Sequence, residues 1–122
     1  MRILIIEDSD SIRRMIEALV SARGYEVDAV SNGAKGLEVA FEKVPDVILL
    51  DLNLGGNYDG FEVCARVRAN ALTKSTPVIV ISALSDEESK KKAHAAGCTA
   101  YYTKPFSPTA LLKELDSLPA RR

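Results

Sequence analysis

The sequence predicts an α/β protein, an open (βα)5 sandwich with a parallel sheet and helices on both faces. Five short runs rich in Ile, Val and Leu recur along the chain, at residues 3–6, 27–30, 47–50, 78–81 and, more weakly, 100–103. Segments with helical spacing lie between them. The runs read as apolar along their whole length rather than alternating, as expected of strands covered on both faces, and strict strand-helix alternation makes the sheet parallel.

The helical segments follow in order. The first carries Ile12, Met15, Ile16, Leu19 and Val20, the i, i+3, i+4, i+7, i+8 stripe of an amphipathic helix. Asp8-Ser9-Asp10 before it supplies N-cap chemistry, and Gly24 is the expected C-cap. Ala34, Leu37 and Phe41 mark the second helix, and Phe61, Cys64, Ala65 and Arg68 the third. The fourth begins near Ser85-Asp86-Glu87-Glu88, where acidic residues favour a helix N-terminus, and stops at Gly97. The fifth follows Ser107-Pro108 with Leu111, Leu112, Leu115 and Leu118, the proline falling in the first turn. Right-handed crossovers leave few ways to connect five such units, and the common flavodoxin-like strand order is 2-1-3-4-5. No internal repeat or linker precedes Pro119, so residues 1–118 are expected to form one domain and 119–122 a C-terminal tail or the start of a linker.

Composition narrows the function. With 122 residues, 47% hydrophobic and 27% charged, the chain resembles an ordinary globular domain able to fold without disulfides or a structural metal. Sixteen basic and 17 acidic residues leave a formal net charge of -1, so no basic field draws nucleic acid or anionic lipid, and direct DNA binding is not expected. The apolar run after Arg2 is too short for a signal peptide or a membrane span, which gives a cytoplasmic expectation. Cys64 and Cys98 form no close-spaced pair and read as buried structural thiols.

In open α/β sheets, sites form outside the carboxyl ends of the strands, where the strand order reverses. That point lies between the first and third strands. The residues just past the apolar runs are Glu7 and Asp8, then Asp51, Ser82 and Lys104. Adjacent strands lie roughly 4.8 Å apart, so Asp8 and Asp51 should bring their carboxylates close together. Two such charges about 4 Å apart repel by roughly 4 kcal/mol at an effective dielectric near 20. A hard divalent cation, Mg²⁺ or Mn²⁺, answers that repulsion, and Lys104 supplies a further positive charge, placed in this order on the far side of Asp51. The arrangement suits phosphoryl transfer to a carboxylate: Asp51 attacks in line, while the cation, Lys104 and the Ser82 hydroxyl each hold one phosphoryl oxygen.

These residues carry a resemblance. Glu7-Asp8 after a first apolar strand, Asp51 after the third, Ser82-Ala83 after the fourth, and Tyr101 three residues before Lys104-Pro105-Phe106 together resemble the receiver domain of two-component response regulators, over nearly the whole chain. The resemblance implies a switch in which a histidine kinase or histidine phosphotransfer protein phosphorylates Asp51. Glu7, Asp8, Asp51 and the backbone carbonyl of Asn53 would bind the metal, and a cis Lys104-Pro105 bond would aim the lysine. Ser82 and Tyr101 would be switch residues, reshaping the face of the fourth helix, fifth strand and fifth helix for a downstream protein, an output domain or a second copy of the chain.

The chain departs from the family pattern after the acceptor, where Gly55-Gly56 replaces a proline and one residue is added before Asp59-Gly60. Leu84 stands two past Ser82, where some members are acidic. Lys90-Lys91-Lys92 reads as a solvated helix face, and His94 receives no function. Two other classes fit less well. A dehalogenase-like phosphatase needs a second Asp two residues past its nucleophile, and Asn53 stands there. A flavin binder of the same fold would place its phosphate loop after the first strand, where Glu7-Asp8 repels phosphate.

Overall fold

The computed structural model of the protein describes residues 1–56 and 58–118. The expected tail at 119–122 lies outside them. Strands β1 (Arg2–Ile6), β2 (Glu26–Val30), β3 (Val47–Leu50), β4 (Val78–Ser82) and β5 (Ala100–Thr103) alternate with helices α1 (Asp10–Ser21), α2 (Gly33–Lys43), α3 (Gly60–Ala69), α4 (Glu87–Ala95) and α5 (Pro108–Ser117). The strands form one sheet in the order β2-β1-β3-β4-β5, and every neighbouring pair is parallel.

Because side chains alternate across a strand, the sheet divides the core in two. Leu4, Ile6, Ile48, Leu50, Val78 and Val80 face α2, α3 and α4, where they meet Leu37, Ala40, Val63, Cys64, Val67 and Ala93. Ile3, Ile5, Val47, Leu49, Ile79 and Ile81 face α1 and α5, where they meet Ile16, Val20, Leu111 and Leu115. Helices therefore cover both faces. Among the described residues no helix is long and apolar enough to cross a membrane.

Each helix starts on a side-chain cap: Ser9, Asn32, Asp59, Asp86 and Ser107 each accept a backbone N–H three residues on. Three expectations need correction. Gly24 does not cap α1, which closes at Ala22; the glycine sits at φ +87 in the turn beyond, a conformation that an L side chain resists. On α3 the buried face is Val63, Cys64 and Val67, while Ala65 is exposed. β2 is not apolar throughout: Glu26 is exposed and Asp28 half-buried, because an edge strand is covered on fewer sides than a central one. Cys64 and Cys98 are both free and buried.

Candidate functional site

The backbone ladder continues past the strands and positions the acids. Asp51 N–H donates to Ile6 O at 3.0 Å and Glu7 N–H to Val30 O at 3.1 Å, so the residues ending β1 and β3 come out of the sheet side by side. Glu7, Asp8 and Asp51 then present carboxylate oxygens that lie within 4.8 Å of one another. Glu7 and Asp51 are buried and Asp8 is exposed.

Lys104 enters from the end of β5, where its N–H donates to Ser82 O at 2.8 Å. The Lys104-Pro105 bond is cis. The amine lies 2.9 Å from Glu7 Oε1 and 3.6 Å from Asp51 Oδ2, so Lys104 is not confined to the far side of Asp51 but bridges the two buried acids. Glu7 and Asp51 are both buried, and a buried carboxylate needs such a partner. The other Glu7 oxygen accepts the Ser9 N–H at 3.1 Å. Burial pushes the Glu7 carboxyl up to about 7 despite the hydrogen bonds from Lys104 and Ser9, and the negative charge of Asp51 adds to the rise.

Three clustered acids and one amine leave the rim short of positive charge. All three donors facing it are carboxylate oxygens, the hard ligands that Mg²⁺ and Mn²⁺ prefer over imidazole or thiolate sites. The donor set therefore fits a hard divalent cation. Asn53 sits beside it, exposed, with its N–H donating to Asp51 Oδ1 at 3.2 Å.

The remaining sequence-selected residues meet on β4 and β5. Ser82 is fully buried, and its Oγ accepts the Leu84 N–H at 3.1 Å. The Tyr101 hydroxyl donates to Leu84 O at 2.6 Å. One residue, Leu84, thus links the two side chains through its backbone. One cavity opens at Asp8 and another at Lys104. The first, about 380 Å³, is lined by Asp8, Asn32 and the Gly55-Gly56 segment among others. The other, about 310 Å³, is apolar and lies between Ile12, Met15 and the Lys104-Pro105-Phe106 turn.

Sequence reasoning missed Arg13, which reaches back from α1 to the Glu7 carbonyl at 3.0 Å. Its position three residues after Asp10, on the first turn of α1, was the available signal.

Residues 3–116 match the response regulator receiver domain family. The chain belongs to that family. As a receiver domain it is a phosphorylation-activated switch of two-component signalling, regulatory rather than a classical enzyme. It is 36% identical over 117 residues to the DNA-binding dual master transcriptional regulator RpaA of Synechocystis, covering 96% of this chain and 48% of RpaA. The chain spans about half the length of RpaA and of other curated relatives it matches. Among solved structures, chemotaxis protein CheY4 of Vibrio cholerae is 34% identical with a TM-score of 0.89, covering 97% of this chain and 98% of that one. The receiver domain of sensor histidine kinase PA1611 from Pseudomonas aeruginosa PAO1 is 28% identical with a TM-score of 0.88, covering 96% and 95% of the two chains; it carries a magnesium ion coordinated in its active site cleft.

Proposed function

We propose that Asp51 is the phospho-acceptor of this receiver domain and that residues 1–118 are the unit that switches. The observation that carries the reading is the meeting of Glu7, Asp8 and Asp51 oxygens within 4.8 Å of one another, with Lys104 Nζ 3.6 Å from Asp51. An Asp51 oxygen attacks the phosphorus of a phosphohistidine on a histidine kinase or histidine phosphotransfer protein. The new P–O bond forms as the P–N bond breaks, and the imidazole nitrogen keeps the electron pair and takes a proton. Lys104 holds one phosphoryl oxygen, and the Ser82 hydroxyl holds another.

Glu7, Asp8, Asp51 and the Asn53 backbone carbonyl would hold Mg²⁺ or Mn²⁺, as the magnesium in the PA1611 receiver domain supports. When bound, the cation supplies charge neutralisation that lets an anionic donor approach the acids. Later attack by water breaks the P–O bond and returns Asp51 with inorganic phosphate. Ser82 moving toward the phosphoryl group pulls on Leu84, whose N–H it accepts, and so loosens the Tyr101 bond to the Leu84 carbonyl. Tyr101 then turns inward, changing the face of α4, β5 and α5 that a downstream protein, an output domain or a second copy reads. Work of this kind belongs in the cytoplasm, where kinases and phosphodonors meet their regulators, and none of it needs contact with nucleic acid or membrane.

Incubation with acetyl phosphate and Mg²⁺, followed by intact mass measurement, tests the assignment. One added phosphoryl group is expected, absent in Asp51→Asn. Labelling that persists in the variant counts against Asp51.

A further inference from the structure

Asp8 is the exposed member of the acid cluster, and among the described residues its carboxylate has no hydrogen-bond or ion-pair partner. Glu7 is pinned by Lys104 and Ser9, and Asp51 by its backbone and the Asn53 N–H. What aims Asp8 must therefore act through the turn between β1 and α1. Arg13 grips that turn on both sides. Its Nη1 donates to the Glu7 carbonyl at 3.0 Å, immediately before Asp8, and its Nη2 meets Asp10 Oδ1 at 2.5 Å, two residues after it. The Arg13 N–H also donates to Ser9 O at 2.9 Å.

These bonds are geometrically demanding. A planar guanidinium fork fixes two acceptors at once, whereas lysine offers a point charge on a flexible stem. The Arg13 side chain is only 17% exposed although its partner Asp10 is 73% exposed, so the fork is held against the body of the protein. The Glu7 carbonyl that it anchors is part of the peptide unit leading into Asp8. With that carbonyl fixed, the backbone leading into Asp8, and with it the direction of the Asp8 Cα–Cβ bond, is held.

We propose that Arg13 is a positioning residue that sets the direction of the Asp8 carboxylate as a metal ligand. The proposal rests on the metal-binding reading given above. Asp8 swings away from Glu7 and Asp51 when the fork is lost, and the cluster loses its third oxygen for a cation. Residues that orient ligands in this way are worth about 10- to 100-fold in metal affinity.

A double-mutant cycle on the full chain tests this, with Mg²⁺ affinity read by calorimetric titration and each variant checked by thermal melting without metal. Arg13→Met keeps the apolar stem and removes the fork; its Kd for Mg²⁺ should rise about 10-fold. Asp8→Asn should weaken binding on its own, and Arg13→Met added to Asp8→Asn should change the Kd less than 2-fold, because the residue being aimed is gone. Arg13→Lys should bind as weakly as Arg13→Met. Unchanged affinity in Arg13→Met, independent and multiplicative effects in the double variant, or full recovery by lysine would each overturn the proposal. A wild-type chain that binds no Mg²⁺, or an Asp8→Asn variant that binds it normally, would instead sink the metal-site reading. A folding defect appears as a fall in the metal-free melting temperature and is multiplicative with Asp8→Asn, so it is distinguishable.

Discussion

Gly60 shows how tightly a single position can be constrained by the site. Its N–H donates to Leu52 O at 3.0 Å, and a Cβ built on it would stand 2.3 Å from Leu52 Cα and 2.5 Å from the Asp51 carbonyl oxygen. Both neighbours are backbone, so neither can step aside as a flexible side chain would. The first residue of α3 thus presses on the strand end that carries the acceptor, and only glycine allows the approach. Gly60→Ala should cost about 1–3 kcal/mol through forced backbone movement, measured as a lower urea midpoint, and should slow acetyl phosphate labelling of Asp51. A stable variant with unchanged labelling would mean that the turn has slack. Cys64 contrasts with this: burial pushes its thiol up to about 11, which fits a packing residue and not a nucleophile.

At the scale of elements, the helices are held unequally. α3 buries Val63, Cys64 and Val67 and α1 buries Ile16 and Val20, but α4 buries only Ala93. Its other visible tether to α3 is Lys92, whose amine lies 4.3 Å above the Phe61 ring. α5 is fastened better, through buried Leu111 and Leu115 and a bond from the Tyr102 hydroxyl to Glu114 at 2.7 Å. Local opening is easiest where few apolar contacts are lost, so amides of α4 should exchange with solvent fastest of the five helices, on the order of 10-fold or more ahead of α1. Uniform protection across α1 and α4 would contradict this ranking. The same inequality explains what the sequence made legible. The α1 stripe is long and regular, and the caps at Ser9, Asp86 and Ser107 need only local chemistry, so these elements could be read directly. On α3 the periodic pattern found Phe61 and Cys64, which pack in the core, but also pointed to Ala65, which is exposed, and to Arg68, because it could not weigh a long-range partner. Arg68 reaches instead to the carbonyls of Gly97 and Thr76, at 2.9 and 2.6 Å, tying α3 to the loops that lead into β5 and β4. The site was legible for a related reason: strand ends in a parallel sheet converge whatever their side chains do. Where a flexible side chain reaches across elements, as Lys104 does to Glu7, spacing carried no signal, and for Arg13 it pointed only to the local pair with Asp10 and not to the bond with the Glu7 carbonyl.

For the molecule as a whole, the two faces of the sheet are closed by apolar packing, while the outer edge beside β2 is closed by charge. Arg2 on β1 pairs with Glu26 at 2.9 Å and with Asp28 at 3.1 Å, and Lys43 at the end of α2 reaches Asp28 at 2.9 Å. Asp28 therefore joins two strands and a helix on a strand whose apolar pattern charge interrupts. Partial burial alone would lift its carboxyl, but hydrogen bonds and charge from Lys43 and Arg2 outweigh that effect and hold it below the usual carboxylate value. A depressed folded-state value means that the unfolded chain binds the proton more readily, so the stabilisation is present above the unfolded value of about 3.9 and is lost as pH falls through the lower folded value. Asp28→Asn keeps an acceptor and removes the charge, and it should be less stable than the wild type at pH 6. The gap between their urea midpoints should close as pH falls below about 4, because the wild-type carboxyl then becomes neutral as well. A gap that stays constant down to pH 2.5 would show that shape and hydrogen bonding, and not charge, close this edge of the sheet.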